Sequence, residues 1–331
     1  MQWCYIDVPS TDPAFNLALE QYVFDALPRN KNYFFLWQND NAVIVGRHQN
    51  TMAEVNEEYI KEKRIRVVRR LSGGGAVYHD LGNLNFTYIQ DAASGIQLDL
   101  GLFCRPLAQA ICSLGAHAVV NGRNDITIDN RKFSGNAQYV KDGRVMHHGT
   151  ILFNSDLNAA SRALTPDPEK VISKGVKSVR SRMTTLREQL PGRITLEEFK
   201  TLLLQKLFTD KPMSHYTFTV DDMAEIEALR RSRYNTWEWN WGGSPPCDLI
   251  RKGRVKGCGS VECRFHIQNG VITHADFRGD FFSATEPEFL AERFVGLRPT
   301  EVDYRKALSG VNVSEYFLGL TNEAFLNILI T

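Results

Sequence analysis

The chain has 331 residues, of which 43% are hydrophobic and 23% are charged, and its formal net charge is +1. This length suits two domains, and the composition is that of a globular protein rather than a disordered or fibrous one. A nearly neutral chain has no global field that recruits nucleic acid or an anionic membrane. No apolar run reaches the roughly 20 residues that span a bilayer.

The first residues and the cysteines bear on location. Met1-Gln2-Trp3-Cys4 leads directly into a strand-like segment, without a basic region followed by an apolar core, so we expect no signal peptide. The six cysteines are scattered along a large chain, which is typical of free thiols in a reducing compartment. We therefore predict a cytoplasmic protein.

Hydrophobic periodicity and turn residues predict the elements of the first half of the chain. In order, they are a helix that begins at Asp12-Pro13 and ends before Pro28, strands at 33–37 and 42–45 joined by a hairpin turn, a polar helix at 54–63, a strand from 67, a strand at 84–89, a helix at 98–114, and strands at 118–120, 125–128, 132–139 and 145–153. Asp142-Gly143 is a tight-turn signal between the last two strands.

The second half begins with helical segments and then restarts as a separate unit. Thr195 and Glu198 form the pattern of a capping box, which begins a helix at 195–207. A turn-rich stretch at 242–246 marks a boundary between a domain at 1–243 and a small α+β domain at 249–331. The remaining predicted elements are a helix at 221–232, strands at 255–267 and 271–278 joined at Asn269-Gly270, and helices near 286–294, 300–308 and 321–330.

The stretch 67–87 is the most informative part of the sequence. Arg69-Arg70 precedes three consecutive glycines, Gly73, Gly74 and Gly75. Successive glycines tolerate positive φ, their N–H groups can form a concavity for an anion, and arginine suits phosphate or carboxylate. The spacing is neither a Walker A loop nor a dinucleotide fingerprint. It indicates an anion site without naming the anion, and a glycine-rich hairpin is the alternative.

The segment RRLSGGGAVYHDLGNLNFT resembles the signature of the lipoate–protein ligase A family. Further similar blocks follow the family order and span most of residues 1–240. They lie at 16–20, 124–126, 131–137, 147–152 and 178–182. The resemblance implies an α+β fold, in which a mixed β-sheet domain with flanking helices, shared with biotin ligases, is joined to a small α+β C-terminal domain.

The resemblance also implies a reaction. Such an enzyme forms lipoyl-AMP from lipoate and ATP with Mg²⁺, releases pyrophosphate, and transfers the lipoyl group to a lysine of a lipoyl domain. Expected acceptors are 2-oxoacid dehydrogenase E2 subunits and the glycine-cleavage H protein, with no nucleic acid or membrane partner.

Lys132 is the main candidate for catalysis, because it aligns with the lysine that the family places on the acyl carboxylate and the α-phosphate. Asp125 is the candidate Mg²⁺ ligand, with an ordinary turn aspartate as the alternative. The other residues expected to contact ATP or lipoate are Arg70, Ser72, Gly75, Ala76, Val77, Tyr78, Asn83, His148 and Arg180. Arg180 belongs to a basic segment that matches the family loop closing over the adenylate.

Two other functions are weighed against the ligase. An octanoyl- or lipoyl-transferase of the same fold needs a cysteine nucleophile, and no cysteine lies between Cys112 and Cys247, the region that contains Lys132 and the strands around it. A non-catalytic acyl-carrier-binding protein would not need Arg70, Lys132 and the glycines together. The spacing of the histidines and of Cys258 and Cys263 gives little support for a metal site.

Overall fold

The computed structural model describes residues 2–91, 99–122, 124–164, 182–209, 212–242, 248–268 and 270–330. Eight strands form one mixed sheet. In chain order they are β1 (Gln2–Ile6), β2 (Lys31–Trp37), β6 (Asn83–Asp91), β7 (Val119–Asn121), β8 (Asp125–Ile128), β9 (Arg131–Lys141), β10 (Arg144–Leu152) and β11 (Met213–Tyr216). Their spatial order is β11-β1-β2-β6-β10-β9-β8-β7, with β1 parallel to both neighbours and every other pair antiparallel.

Two three-stranded sheets accompany the large one. The first contains β3 (Ala42–Val45), β4 (Arg66–Arg69) and β5 (Val77–His79), with β3 between the other two. The second is an antiparallel meander of β12 (Leu249–Val255), β13 (Gly259–Gln268) and β14 (Val271–Gly279). The glycine run therefore connects β4 to β5, the two outer strands of the first small sheet.

Helices cover these sheets. They are α1 (Pro13–Asp25), α2 (Thr51–Glu54), α3 (Glu57–Lys63), α4 (Leu100–Ser113), α5 (Leu157–Ala163), α6 (Leu196–Leu207), α7 (Val220–Leu229), α8 (Trp237–Asn240), α9 (Pro287–Glu292), α10 (Glu301–Ala307), α11 (Val313–Tyr316) and α12 (Asn322–Ile330), with a π-helical turn at Arg230–Tyr234 and a 3₁₀ turn at Leu186–Glu188. The Thr195–Glu198 capping box is formed at the start of α6, as predicted.

Alternation along β6 separates the two faces of the large sheet. Leu84 and Phe86 pack into an apolar core that includes residues of α4 and α6. Asn83, Asn85 and Thr87 point to the opposite face, where α1 lies. A row of buried polar side chains on an otherwise apolar sheet face is the first structural sign of a binding site.

The hairpin predicted between 33–37 and 42–45 is wrong. Both strands exist, but β2 pairs with β1 and β6, whereas β3 pairs with β4 and β5. The turn residue Asn41 has φ of 45°, and the N–H of Asp40 donates to the carbonyl of Thr11. The turn therefore carries the chain from one sheet to another. The glycine run is not a hairpin either, because β4 and β5 do not pair with each other.

Two other predicted elements are divided in the structure. The helix expected at 54–63 breaks at Val55, and Asn56 caps α3 by accepting from the N–H of Tyr59. The strand expected at 255–267 is two strands, because Gly257 has φ of 90° in a turn that returns the chain antiparallel to itself. A local pattern of alternating residues did not reveal this turn.

None of the helices in the described ranges is long and apolar enough to cross a membrane. Asn269 of the predicted hairpin and most of the predicted domain boundary at 242–246 lie outside those ranges.

Candidate active site

Lys132 and Asp125 form an ion pair on neighbouring strands. Nζ of Lys132 lies 2.7 Å from Oδ1 of Asp125, and each side chain is about one-third exposed. The segment that carries Asp125 is held to β9 because the side-chain amides of Asn124 and Asn136 each donate to the other's backbone carbonyl, at 2.8 and 3.0 Å. The carboxylate thus fixes a solvent-accessible ammonium group in place.

Gly135 makes room for that ammonium group. A Cβ atom at position 135 would lie 2.7 Å from Nζ and 2.8 Å from Cε of Lys132. The lysine side chain therefore lies directly over the glycine, in space that any other residue would occupy. The position of the Lys132 side chain therefore accounts for the presence of glycine at position 135.

We expect Gly135→Ala to displace Lys132 and to slow adenylate formation by about tenfold or more, since misplacing a group by about 1 Å is that costly or worse. The melting temperature should change little, because the contact that must shift is the end of a flexible side chain. Gly101→Ala is the matched control, since its Cβ would meet only the flexible side chains of Arg105 and Asp99. An unchanged rate in folded Gly135→Ala would contradict this role of the glycine.

Arg70 lies inside the glycine loop. Its guanidinium donates to the carbonyls of Ile44, Gly73 and Gly75 at 3.2, 2.6 and 2.9 Å, and its Nε donates to Oγ of Ser72 at 3.0 Å. The residue is 6% exposed, and burial lowers its pKa to about 10. These hydrogen bonds stabilise the conformation of the glycine loop.

A buried hydrogen-bond network joins the loop to α1. Oγ of Ser72 lies 2.6 Å from Nε2 of His148, and Nδ1 of His148 lies 2.9 Å from Oε1 of Glu20. Glu20 also accepts from Oγ1 of Thr87 at 2.7 Å, and it is 1% exposed. The carboxylate fixes the ring of His148 and, through it, the position of Ser72.

The two groups of residues are adjacent on one face of the sheet. His148 and Thr150 are two residues apart on β10, a separation of about 7 Å. Oγ1 of Thr150 accepts from the N–H of Gly135 at 3.2 Å, next to Lys132. Lys132 and His148 therefore lie on one face of the large sheet, and Ser72 connects the glycine loop to His148.

Strand β5 forms a further wall. Val77 packs into the core that includes α1, whereas Ala76 and Tyr78 pack against the core under β3. Burial raises the pKa of Tyr78 to about 12, so its hydroxyl stays protonated and donates to Asn41. Asn83 is fully buried. Arg180, also predicted to contact the ligand, lies outside the described residues.

The C-terminal unit contacts the outer side of the glycine loop. The N–H of Gly74, whose φ is 88°, donates to the carbonyl of Phe281 at 3.1 Å. A Cβ at Gly74 would lie 2.8 Å from the ring of Phe282. The ring of His48 stacks on that of Phe281 at 4.8 Å. Close packing across this contact accounts for glycine at position 74.

A cavity of about 320 Å³ lies beside this contact, between residues 138–142 of the large sheet and 283–286 of the C-terminal unit. Neither Lys132 nor His148 lines it. The charged and hydrogen-bonding groups described above lie instead at Lys132 and around the glycine loop.

Glu20 is the residue of this site that sequence reasoning missed. The sequence contained a signal for it, because Glu20 directly follows the apolar residues 17–19 of the predicted helix, and it is 1% exposed in the structure. The sequence also suggested Arg69 as an anion ligand. In the structure its guanidinium instead donates six hydrogen bonds to oxygen atoms of the protein.

Among the described residues, the cysteines and histidines do not form a metal centre. Within the described ranges, no group of three or more His, Cys, Asp or Glu residues could hold a metal ion. Cys258 and Cys263 are buried in the apolar core of the C-terminal unit, and burial raises the pKa of Cys263. They act as small hydrophobic residues.

Two family profiles together match most of the chain. The lipoyl protein ligase A/B catalytic domain matches residues 12–208, and the bacterial lipoate protein ligase C-terminus matches residues 244–329. Lipoate–protein ligase 1 of Staphylococcus aureus is 41% identical over 307 residues, which cover 93% of each chain. Lipoate-protein ligase LplJ of Bacillus subtilis is 38% identical over 321 residues, 96% of this chain and 97% of that one.

Solved structures share the architecture. P. falciparum LipL1 in complex with lipoate has a TM-score of 0.78 at 24% identity, over 98% of this chain and 97% of that one. A lipoate-protein ligase A bound with ATP has a TM-score of 0.63 at 25% identity, over 73% and 99%. A bi-partite lipoate protein ligase of Thermoplasma acidophilum, described with its E2 lipoyl domain, has a TM-score of 0.64 at 26% identity, over 75% and 100%.

The profile match over residues 12–208 places the chain in the class of lipoyl protein ligase A/B catalytic domains. Within that class the chain belongs to the lipoate–protein ligase family, given relatives at 41% and 38% identity over almost its whole length. The predicted family, the mixed α+β fold and the ligase activity are confirmed.

Proposed function

We propose that this protein joins lipoate to ATP to give lipoyl-AMP and pyrophosphate, and then transfers the lipoyl group to Nε of a lysine on a lipoyl domain. The observation that carries the proposal is the fixed ammonium of Lys132, 2.7 Å from Asp125 and beside the glycine loop. Lipoate and ATP, which the related structures are described as containing, are the substrates that this site would serve.

Lys132 supplies positive charge in both steps. When a carboxylate oxygen of lipoate attacks the α-phosphorus of ATP, the bond from phosphorus to pyrophosphate breaks, and an ammonium beside both anions lowers their repulsion. In the second step the acceptor amine attacks the acyl carbon and AMP leaves. The same ammonium stabilises the negative charge that develops on the carbonyl oxygen.

The remaining predicted residues provide the walls of the site. Ser72 and His148 are held in place by the hydrogen bonds that link them to Glu20. Arg70 stabilises the glycine loop, because its guanidinium donates to a carbonyl of that loop. We assign the backbone and side chains of Gly75, Ala76, Val77, Tyr78 and Asn83 to the pocket, and Arg180 to the adenylate.

Asp125 fits a Mg²⁺ ion that is bound mainly by nucleotide phosphates, since Mg²⁺ in such sites takes one or two carboxylates. Its carboxylate is partly exposed and lies on the same face as Lys132. When bound, the ion would neutralise phosphate charge. Asp125 itself orients Lys132 in either case.

We further propose a catalytic domain at 1–243, an accessory domain at 249–331, and a cytoplasmic location. The free thiols of Cys4, Cys104, Cys112 and Cys263 support a reducing compartment. The proposed acceptors are 2-oxoacid dehydrogenase E2 subunits, supported by the E2 lipoyl domain described with the T. acidophilum ligase, and the H protein.

A thioester route through Cys104 is the competing mechanism. Burial raises the pKa of Cys104 to about 12, with the charges of Asp125 and Asp99 adding to the effect, so the reactive thiolate is suppressed. We therefore expect Cys104→Ala to retain lipoyl transfer from preformed lipoyl-AMP. Trapping a lipoyl thioester on Cys104 in the wild-type protein, with loss of transfer in a folded Cys104→Ala variant, would contradict the adenylate route.

ATP–pyrophosphate exchange tests the proposal as a whole. Exchange should require lipoate, because labelled pyrophosphate is incorporated into ATP only when it reacts with lipoyl-AMP in the reverse of the first step. A transferase or a non-catalytic binding protein would show none. Lipoylation of a purified E2 lipoyl domain, detected by its mass increase, then tests the second step.

A further inference from the structure

His48 lies at the contact between the loop after β3 and the C-terminal unit, and it is 5% exposed. Its ring stacks on that of Phe281, and its Nε2 lies 3.2 Å from Oγ of Ser283. Its backbone carbonyl accepts from the N–H of Gly279 at 2.8 Å. The ring and the backbone of this histidine therefore both contact the C-terminal unit, where the carbonyl of Phe281 also accepts from the N–H of Gly74.

Among the described residues, the charged groups around His48 favour a neutral ring. Three arginines raise the positive potential at the ring, and they are Arg47, Arg278 and Arg69. The acidic groups of the same contact are each paired with an arginine, and they are Glu286, Asp276 and Asp280. Burial, together with the three arginines, holds the pKa of His48 well below its ordinary value of 6.5. The face of Phe281 attracts a cation, but less strongly than burial and the arginines oppose it.

Arg69 fixes the loop that carries His48. Its Nη1 donates to the backbone carbonyls of Gly46, Arg47 and Gln49 at 2.8, 3.0 and 2.7 Å. These hydrogen bonds hold the backbone on both sides of His48, so the ring cannot leave the contact by a movement of the loop without breaking them. The cost of a charged ring is therefore relieved by separation of the C-terminal unit from the loop.

The cavity of about 320 Å³ between the large sheet and the C-terminal unit reaches this histidine. His48 and Ser283 line it, and so do Lys141 and Asp142, which are exposed at the surface. Solvent in the cavity therefore has a route to the edge of the ring, and the ring can exchange protons with it.

We propose that His48 is a pH-sensitive switch, and that protonation of its ring favours release of residues 279–283 from the glycine loop. Well above the ordinary histidine pKa of 6.5, the ring is neutral both in the closed state described here and in the released state, so the contact has its full stability. As the pH falls below that value, the released state binds a proton that the closed state excludes, and the contact weakens. The ratio of released to closed molecules should rise about tenfold between about pH 8 and about pH 5.5, since one pH unit changes a proton-linked equilibrium by about that factor.

Site-resolved hydrogen exchange of the wild-type protein at the two pH values tests this switch. The N–H groups of Gly74 and Gly279 donate across the contact, whereas the N–H of Arg70 donates to the carbonyl of Val45 at 3.0 Å and serves as the reference. Protection factors correct for the pH dependence of the exchange chemistry. We expect the protection of Gly74 and Gly279 to fall about tenfold at the lower pH, and that of Arg70 to stay unchanged.

Two substitutions remove the titrating group and keep the contact. His48→Phe retains a flat ring for Phe281, and His48→Gln retains a polar group for Ser283. In both variants the protection of Gly74 should change less than about twofold between the two pH values. His215→Gln is the matched control, because the side chain of His215 is 64% exposed, and it should retain the wild-type response.

Equal protection of Gly74 at the two pH values in the wild-type protein would overturn the inference. A tenfold change that persists in folded His48→Gln would also overturn it, because another group would then be titrating. Loss of protection at Arg70 would identify a variant that does not fold, and the other variant and the wild-type protein then decide. None of these measurements uses lipoate or ATP, so failure of the switch leaves the proposed function standing.

Discussion

Replacing Lys132 by alanine should reduce lipoyl-AMP formation by at least about 100-fold, the scale of removing one preorganised charge from a transition state. The ammonium is held by Asp125 at 2.7 Å and lies over Gly135, so the substitution removes a charge whose position is fixed. Folding should be nearly unaffected, because the side chain is one-third exposed. The measurements are the initial rate of ATP–pyrophosphate exchange and the melting temperature.

Lys141→Ala is the matched control for this prediction, since Lys141 is an exposed lysine at the far end of the same strand. It should exchange pyrophosphate at the wild-type rate. Near-normal lipoyl-AMP formation by folded Lys132→Ala would show that the catalytic cation is another residue.

Replacing Arg69 by methionine should lower the free energy of unfolding by about 3 to 5 kcal/mol, the usual cost of breaking a buried charged network. Its guanidinium donates to the backbone carbonyls of Gly46, Arg47, Gln49, Trp239 and Asn240 and to Oγ1 of Thr51. Without it, these buried acceptors lose their shared donor. Urea denaturation with an unchanged m-value would report the loss.

Arg66→Met on the same strand provides the comparison. Its side chain is 47% exposed and pairs with Asp12 at 2.9 Å, and such surface pairs contribute at most about 1 kcal/mol. If Arg69→Met were no more destabilising than Arg66→Met, the guanidinium would not be the organising centre of the loop at 46–51.

The sequence was sufficient for the elements whose signals are local. The Pro13 start of α1, the capping box of α6 and the tight turn at Asp142-Gly143, where both residues have positive φ, follow from residue types and spacing. The resemblance supplied Lys132 and its neighbours as candidates. The structure adds the reason for Gly135, which no local propensity indicates.

The remaining features depend on contacts between distant residues. The turn at 38–41 has ordinary hairpin composition, and only the completed sheets decide that β2 and β3 belong to different ones. Arg69 and Arg70 both suggested an anion site in the sequence. In the structure both guanidinium groups donate to backbone carbonyls of the protein. Sequence does not distinguish an arginine that binds a ligand from one that holds a loop, because both need the same donor geometry.

The contact between the glycine loop and Phe281 of the C-terminal unit has a consequence for dilution. Both partners belong to one chain, so the Gly74–Phe281 hydrogen bond and the His48–Phe281 stack form as an intramolecular association. The effective concentration of one partner for the other is therefore set within the chain and does not depend on the amount of protein in solution. The outer wall of the glycine loop should therefore remain covered to the same extent in a nanomolar assay as in a crowded cell.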